Sequence, residues 1–233
     1  MNFSCYHLIL LGNFRSVWKD EELRLYWGLV LGSSLLIAWN IRGVYQTVGE
    51  TLRHSFFQVS SIITTTGFAT TDFDLWPSFS KAILLCLMAV GACAGSTGGG
   101  LKCARLLLLF KTMRRNVAQM IHPKSVRVIR VNGQPADERV VANTNAYFAV
   151  YAMILAGSFL IISLDQVSTT TGFTAVLSCF NNIGPGLEAV GPTCNYGHLS
   201  VLSKITLILD MLAGRLEIFP ILILFGRHAR NHY

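Results

Sequence analysis

Two short stretches of this chain have residue types suited to holding a bare cation with backbone oxygens. Thr64-Thr65-Thr66-Gly67 follows a half-apolar stretch at 52–63, and Asn181-Asn182-Ile183-Gly184 follows another at 170–179. Selecting an ion such as K+ requires a row of carbonyl oxygens that replaces its water shell. Such a row needs backbone dihedrals that glycine adopts at low cost. It is favoured further when a half-helix points its partly negative C-terminal end at the ion. Both stretches meet these demands, so the expected ligands are the backbone carbonyls of Thr64, Thr65, Thr66, Gly67, Asn181, Asn182, Ile183 and Gly184. A single stretch of this kind is explained as well by an ordinary loop with a glycine turn. Two in register, each between long apolar segments, favour the cation site.

An internal repeat supplies that register. Gly67 aligns with Gly184, Ser80-Lys81 with Ser203-Lys204, Met88 with Met211 and Gly91 with Gly214, once six extra residues are absorbed in the second connecting loop. The letters Thr169-Thr170-Thr171-Gly172-Phe173 repeat those of 64–68 but lie about one half-helix before Asn181. They are expected to start the second half-helix, with a threonine as its cap.

The elements that position these loops read as membrane spans. Only 13% of residues are charged and 52% are hydrophobic, whereas a soluble domain carries about a quarter charged residues. Windows 25–41, 82–101 and 140–164 contain no charge, and each is close to the ~20 residues that cross a bilayer. A fourth, 205–225, contains Asp210, Arg215 and Glu217. The half-helices are too short to cross, and non-helical backbone survives at membrane depth only inside protein or beside a wet cavity. Two such re-entrant loops imply a pore. The expected fold is therefore an all-α membrane protein of two span–pore-loop–span repeats with re-entrant half-helices, plus a small cytoplasmic β-hairpin. The boundaries are 1–24 for a cytoplasmic link, 25–112 and 143–226 for the repeats, 113–142 for a linker with the hairpin, and 227–233 for a tail.

The net charge of +7 follows topology rather than nucleic acid. Basic residues crowd 99–140 and the C-terminus, while 42–80 and 165–203 carry few. Lys- and Arg-rich loops stay cytoplasmic, so the spans alternate consistently. Alternation over 125–131 followed by Asn132-Gly133 predicts the hairpin, with His122 a solvated loop residue before it. No signal peptide is evident, and Met1 reads as a soluble-to-membrane junction or as the start of a chain that begins partway through a larger protein. The six cysteines show no metal-site spacing, and a Cys179–Cys194 disulfide on the outer side is conceivable.

Glycines 91, 95, 98, 99 and 100 make a continuous second span improbable, because each costs about 1 kcal/mol in a helix interior. Close helix packing by small residues is the alternative. The run Gly98-Gly99-Gly100-Leu101-Lys102 does not make a phosphate loop, since Leu101 separates the glycines from the lysine and Cys103 stands where Ser or Thr is required. Arg215 in the fourth span implies either a role beside a wet cavity or an ion pair with Asp210 or Glu217.

On Thr64-Thr65-Thr66-Gly67-Phe68, Gly91-Ala92-Cys93-Ala94-Gly95-Ser96-Thr97-Gly98-Gly99-Gly100, Asn181-Asn182-Ile183-Gly184-Pro185-Gly186 and Gly214-Arg215-Leu216-Glu217, the chain resembles the TrkH/KtrB family of potassium transporters. The resemblance implies four span–pore–span repeats around one pore, of which this chain looks like the third and fourth. It implies that Gly91, Gly95, Gly98, Gly99 and Gly100 form an intramembrane gate loop under the filter, with Arg215 beside it as a barrier to cations. It also implies potassium as the transported ion and residence in the bacterial inner membrane. The implied partners are the remaining pore repeats, a TrkA-like nucleotide-binding regulatory subunit on the basic cytoplasmic face, and a second copy in a homodimer. Phe68 and Asn181 replace the aromatic-glycine endings of stricter K+ filters, which predicts loose selectivity. The rival readings are the potassium-binding subunit of an ATP-driven pump and a non-conducting membrane scaffold. An enzyme has little support, because no nucleophile, base and orienter recur together.

Overall fold

A computed structural model of the chain describes residues 7, 10, 14–94, 96, 98–122 and 128–216. It is mostly helical. After a short helix α1 (Phe14–Lys19), Asp20 caps α2 (Glu21–Asn40) by accepting from the N–H groups of Glu22 and Leu23 at 2.8 and 3.2 Å. Thr47 caps α3 (Val48–Ile63) by accepting from Glu50 N at 3.2 Å, and Glu50 adds negative charge to the first turn. A turn at Phe73–Leu75 leads to α4 (Ser78–Ala89). The chain then leaves helical geometry until α5 (Cys103–Ile121). A hairpin of β1 (Arg130–Val131) and β2 (Gln134–Pro135) turns at Asn132 and Gly133, both with positive φ, as a tight two-residue turn requires. Next come α6 (Glu138–Ile162), α7 (Thr169–Phe180) and α8 (Val201–Arg215).

The inside and outside of the molecule differ from those of a soluble protein. Ser34, Ser55, Gln58, Ser80, Ser178 and Asn181 are fully buried, while Trp39 on α2, Leu160 on α6 and Leu209 on α8 are at least 60% exposed. Large apolar residues turned outward, with polar groups buried within the core, are what contact with lipid tails favours. Among the described residues, one helical stretch, Glu138–Asp165, is long and apolar enough by itself to cross a membrane. The predicted second span is helical only as far as Ala89 before it breaks, and the fourth is described as helix as far as Arg215.

The helices α3 and α7 have 16 and 12 residues, or about 24 and 18 Å at 1.5 Å per residue, short of a ~30 Å hydrocarbon core. Ile37 on α2, Val59 and Ile62 on α3 and Leu84 and Met88 on α4 form the main core, joined by Leu177 and Ile183 from the later half. Two sequence expectations change. Ser168, one residue before the threonines, is the cap of α7, its side chain accepting from Thr171 N at 3.1 Å; the threonines are already helical. Cys179 and Cys194 are free thiols, Cys179 buried and Cys194 exposed. Of the hairpin run, 125–127 lie outside the described residues. His122 is exposed.

Candidate functional site

The loops after α3 and α7 are wired alike, position for position, 117 residues apart. The N–H groups of Thr64, Thr65 and Thr66 donate to the carbonyls of Ser60, Ile62 and Ser61; those of Asn181, Asn182 and Ile183 donate to Leu177, Cys179 and Ser178. Thr65 and Asn182 both have positive φ, as do Gly67 and Gly184. A serine one turn back straps each loop: Ser61 Oγ donates to Phe68 O at 2.6 Å and Ser178 Oγ to Pro185 O at 2.8 Å. The connections leading to the next helices match with an offset of 123. Lys81 donates to Asp74 O at 3.0 Å and Lys204 to Gly197 O at 2.8 Å.

The two loops touch. A Cβ added to Gly67 would overlap the Ile183 carbonyl oxygen and come within 3.1 Å of Pro185 Cδ. Together with φ +78°, this makes glycine a requirement at position 67. The side chains that fix the loops differ. Thr64 Oγ1 donates to Ser60 O at 2.6 Å and pairs with Thr66 Oγ1 at 2.8 Å. Asn181 is fully buried, its amide donating to Leu177 O at 2.8 Å and to the Tyr151 hydroxyl at 3.0 Å. Asn182 donates to Met211 O at 3.0 Å.

The glycine-rich segment closes on these loops from one side. Gly91 N donates to Leu101 O at 2.5 Å and Cys103 N to Ala92 O at 3.1 Å, which zips the base of the segment together. At its far limb, Gly99 N donates to Thr65 Oγ1 at 3.3 Å. A Cβ on Gly99 would sit 2.7 Å from Asn181 O, and one on Gly100 would overlap the Asn181 side chain. Gly98 lies beside Ala92 and Thr65. Of the predicted gate residues, Gly98, Gly99 and Gly100 thus lie against the loops and Gly91 against Gly99 and Leu101, while Gly95 lies outside the described residues. Gly214 packs directly on the Phe180 carbonyl, with no room for a Cβ. Arg215 follows it, exposed at the end of α8. Of its two suggested ion-pair partners, Asp210 is buried and accepts from Ser158 Oγ at 2.8 Å, and Glu217 lies outside the described residues.

Four residues that the sequence did not single out support this arrangement. Tyr151 holds Asn181, and the Tyr196 hydroxyl donates to Gly184 O at 2.6 Å. Glu188, in the loop after the second turn, accepts from Ser168 Oγ and from Thr171 Oγ1 at 3.0 Å, which ties it to the start of α7. The Ser168 hydroxyl, followed by that of Thr171, holds the Glu188 carboxyl below the ordinary carboxylate range. Glu22 in α2 reaches the glycine-rich segment itself, its Oε1 accepting from Ala94 N at 2.5 Å. None of these contacts is local, so no spacing advertises them.

The family described as "TrkH: Cation transport protein" matches residues 42–231. The chain is 37% identical over 228 residues to the Trk system potassium uptake protein TrkH of Salmonella typhimurium, covering 96% of this chain and 47% of that protein. It is 32% identical to the Trk system potassium uptake protein TrkG of Escherichia coli, covering 97% of this chain and 46% of that protein. The crystal structure of the potassium transporter TrkH from Vibrio parahaemolyticus superimposes with a TM-score of 0.87 at 33% identity, over 98% of this chain and 49% of that one. The chain spans about half the length of the curated relatives it matches.

Proposed function

Because the chain belongs to the TrkH family of cation transport proteins, we propose that it contributes two of four span–pore-loop–span repeats to a gated, channel-like path for potassium uptake. The observation that carries this reading is the contact between two similarly wired glycine turns, Gly67 against Ile183. Each turn follows a half-helix too short to cross a bilayer, and each helix presents its C-terminal carbonyl end toward the turn, where partial negative charge favours a cation. Backbone oxygens at 64–67 and 181–184 are the ligands, and conduction involves no covalent chemistry.

The glycine-rich segment 91–100 is the gate. It rests on Thr65 and Asn181, and residues with little side chain let it withdraw without dragging bulk through the protein. Arg215, next to the glycine packed on Phe180, adds a positive charge that opposes cations while the gate is shut. The remaining two repeats come from another segment or another chain, and the assembly resides in the bacterial inner membrane as a homodimer. The basic cytoplasmic face, with Arg114, Arg115 and Arg130 around the hairpin, docks a nucleotide-binding regulatory subunit like TrkA.

Reconstitution into liposomes tests this reading. The complete four-repeat assembly is expected to take up Rb+ down its gradient without ATP, and to admit Na+ measurably. Uptake strictly dependent on ATP and a phosphorylating subunit supports the pump reading instead, and absence of Rb+ uptake by the complete assembly supports the scaffold.

A further inference from the structure

We infer that the consecutive acids Glu21 and Glu22 link the cytoplasmic hairpin to the glycine-rich segment, with Glu22 as a positioning residue for that segment. This rests on the gated-pore reading. Glu22 is only 8% exposed. Its Oε1 accepts from two backbone N–H groups far along the chain, Ala94 at 2.5 Å and Ala104 at 3.0 Å. Ala94 lies within the glycine-rich segment, and Ala104 lies in the first turn of α5, where the helix resumes. N–H groups of a first helical turn lack partners within the helix, and a carboxylate placed there also meets the positive end of the helix dipole. One oxygen therefore fastens both the segment and the helix that follows it. Hydrogen bonds to an ionised acceptor are roughly twice as strong as neutral ones.

The preceding residue faces the other way. Glu21 N donates to Asn132 Oδ1 at 2.9 Å, and Glu21 Oε2 accepts from Asn132 N at 3.3 Å. The same Oε2 pairs with Lys111 Nζ, which donates in turn to Arg130 O at 2.6 Å. The turn of the hairpin is thus held reciprocally by Glu21. Both acids sit in the first turn of α2, locked by the Asp20 cap, so a shift of the hairpin is carried to Glu22 through one peptide bond. Farther along the same segment, Gly99 N donates to Thr65 Oγ1, and Gly99 and Gly100 pack against Asn181. A pull at the cytoplasmic surface would thus reach a segment that itself bears on both cation loops.

Two thiols report on the segment. Cys93 and Cys103 are 1% and 0% exposed, and Cys103 Sγ lies 3.3 Å from Gly91 O. In the complete pore, with the other cysteines replaced, N-ethylmaleimide labelling of these thiols is expected to rise about tenfold in E22A, the weight of a lost charge-assisted hydrogen bond, and Rb+ influx is expected to change with it. E22Q, whose carbonyl can accept from the same N–H groups, is expected to fall between wild type and E22A. The linkage predicts that E21A raises labelling in the wild-type background and adds nothing in E22A. Unchanged labelling in E22A, or independent addition of the two effects, overturns the inference. If E22A does not fold, E21A and N132A decide alone, because both leave Glu22 in place: unchanged labelling in both overturns the linkage. If no form moves Rb+, the conduction reading falls while labelling still decides the linkage.

Discussion

The pentapeptide Thr-Thr-Thr-Gly-Phe occurs twice in this chain and folds in two ways. At 64–68 it leaves a helix: Thr65 and Gly67 have φ of 53° and 78°, and the turn lies against Ile183. At 169–173 it begins a helix, capped by Ser168 and tied down by Glu188. The unlike sequence 181–185, by contrast, reproduces the first three backbone hydrogen bonds of 64–68 and its serine strap. Conformation here follows position relative to the helix, not the letters. A turn at the C-terminal end needs a residue that tolerates positive φ, and a serine one turn back to hold it; a start needs a cap.

The largest expected effect tests this contrast directly. G67A places a methyl group on the Ile183 carbonyl in a left-handed conformation and is expected to lower Rb+ influx about a hundredfold. G172A meets the side chains of Phe159, Val167 and Ile162 at an ordinary 3.4, 3.6 and 3.7 Å and is expected to leave influx within about twofold while helping the helix. Equal loss from both would remove the distinction. Next in size, N181A strips a buried amide from Tyr151 and Leu177 and is expected to destabilise by about 2 kcal/mol, measured as thermal unfolding in detergent. T64A, at an exposed position, is expected to cost less than about 1 kcal/mol.

Smaller still are the serine straps. S61A and S178A are each expected to cost about 1 kcal/mol and to shift the Rb+ to Na+ ratio in the same direction; opposite shifts would show that the loops are not equivalent. The smallest effect is acidic. Since its hydrogen bonds depress the Glu188 carboxyl below its ordinary value, the folded state holds fewer protons than the unfolded one at this group. The stabilisation is therefore full above the ordinary carboxylate value and fades as pH falls through the folded value. E188Q is expected to remove that acid-limb slope, a difference of less than about 2 °C in Tm at so exposed a site.

Much of this arrangement was legible in the sequence because it rests on local rules. Gly67 and Gly184 stand where a chain must adopt positive φ, and the glycine density at 91–100 marks where helix fails. The Asn132-Gly133 turn follows from the same chemistry. What escaped was non-local or a matter of one residue. Ser168 outcompetes its threonine neighbours as a cap because it alone precedes the first helical dihedral. Glu22 looks like an ordinary first-turn acid until Ala94 and Ala104, 72 and 82 residues away, fold onto it. Tyr151 and Tyr196 carry no local signal, since their hydroxyls meet Asn181 and Gly184 only in the fold.

The six extra residues after the second turn have a mechanical consequence. They carry Glu188 back to Ser168 and Thr171 at the start of the helix whose far end forms the turn, so α7 is braced at both extremities by one loop. At the outer side of α3 the ties are instead single contacts, such as His54 to Thr70 at 3.0 Å and Tyr45 to Thr71 at 3.1 Å. The two half-helices are therefore tied differently, and faster amide exchange is expected at 64–66 than at 181–183.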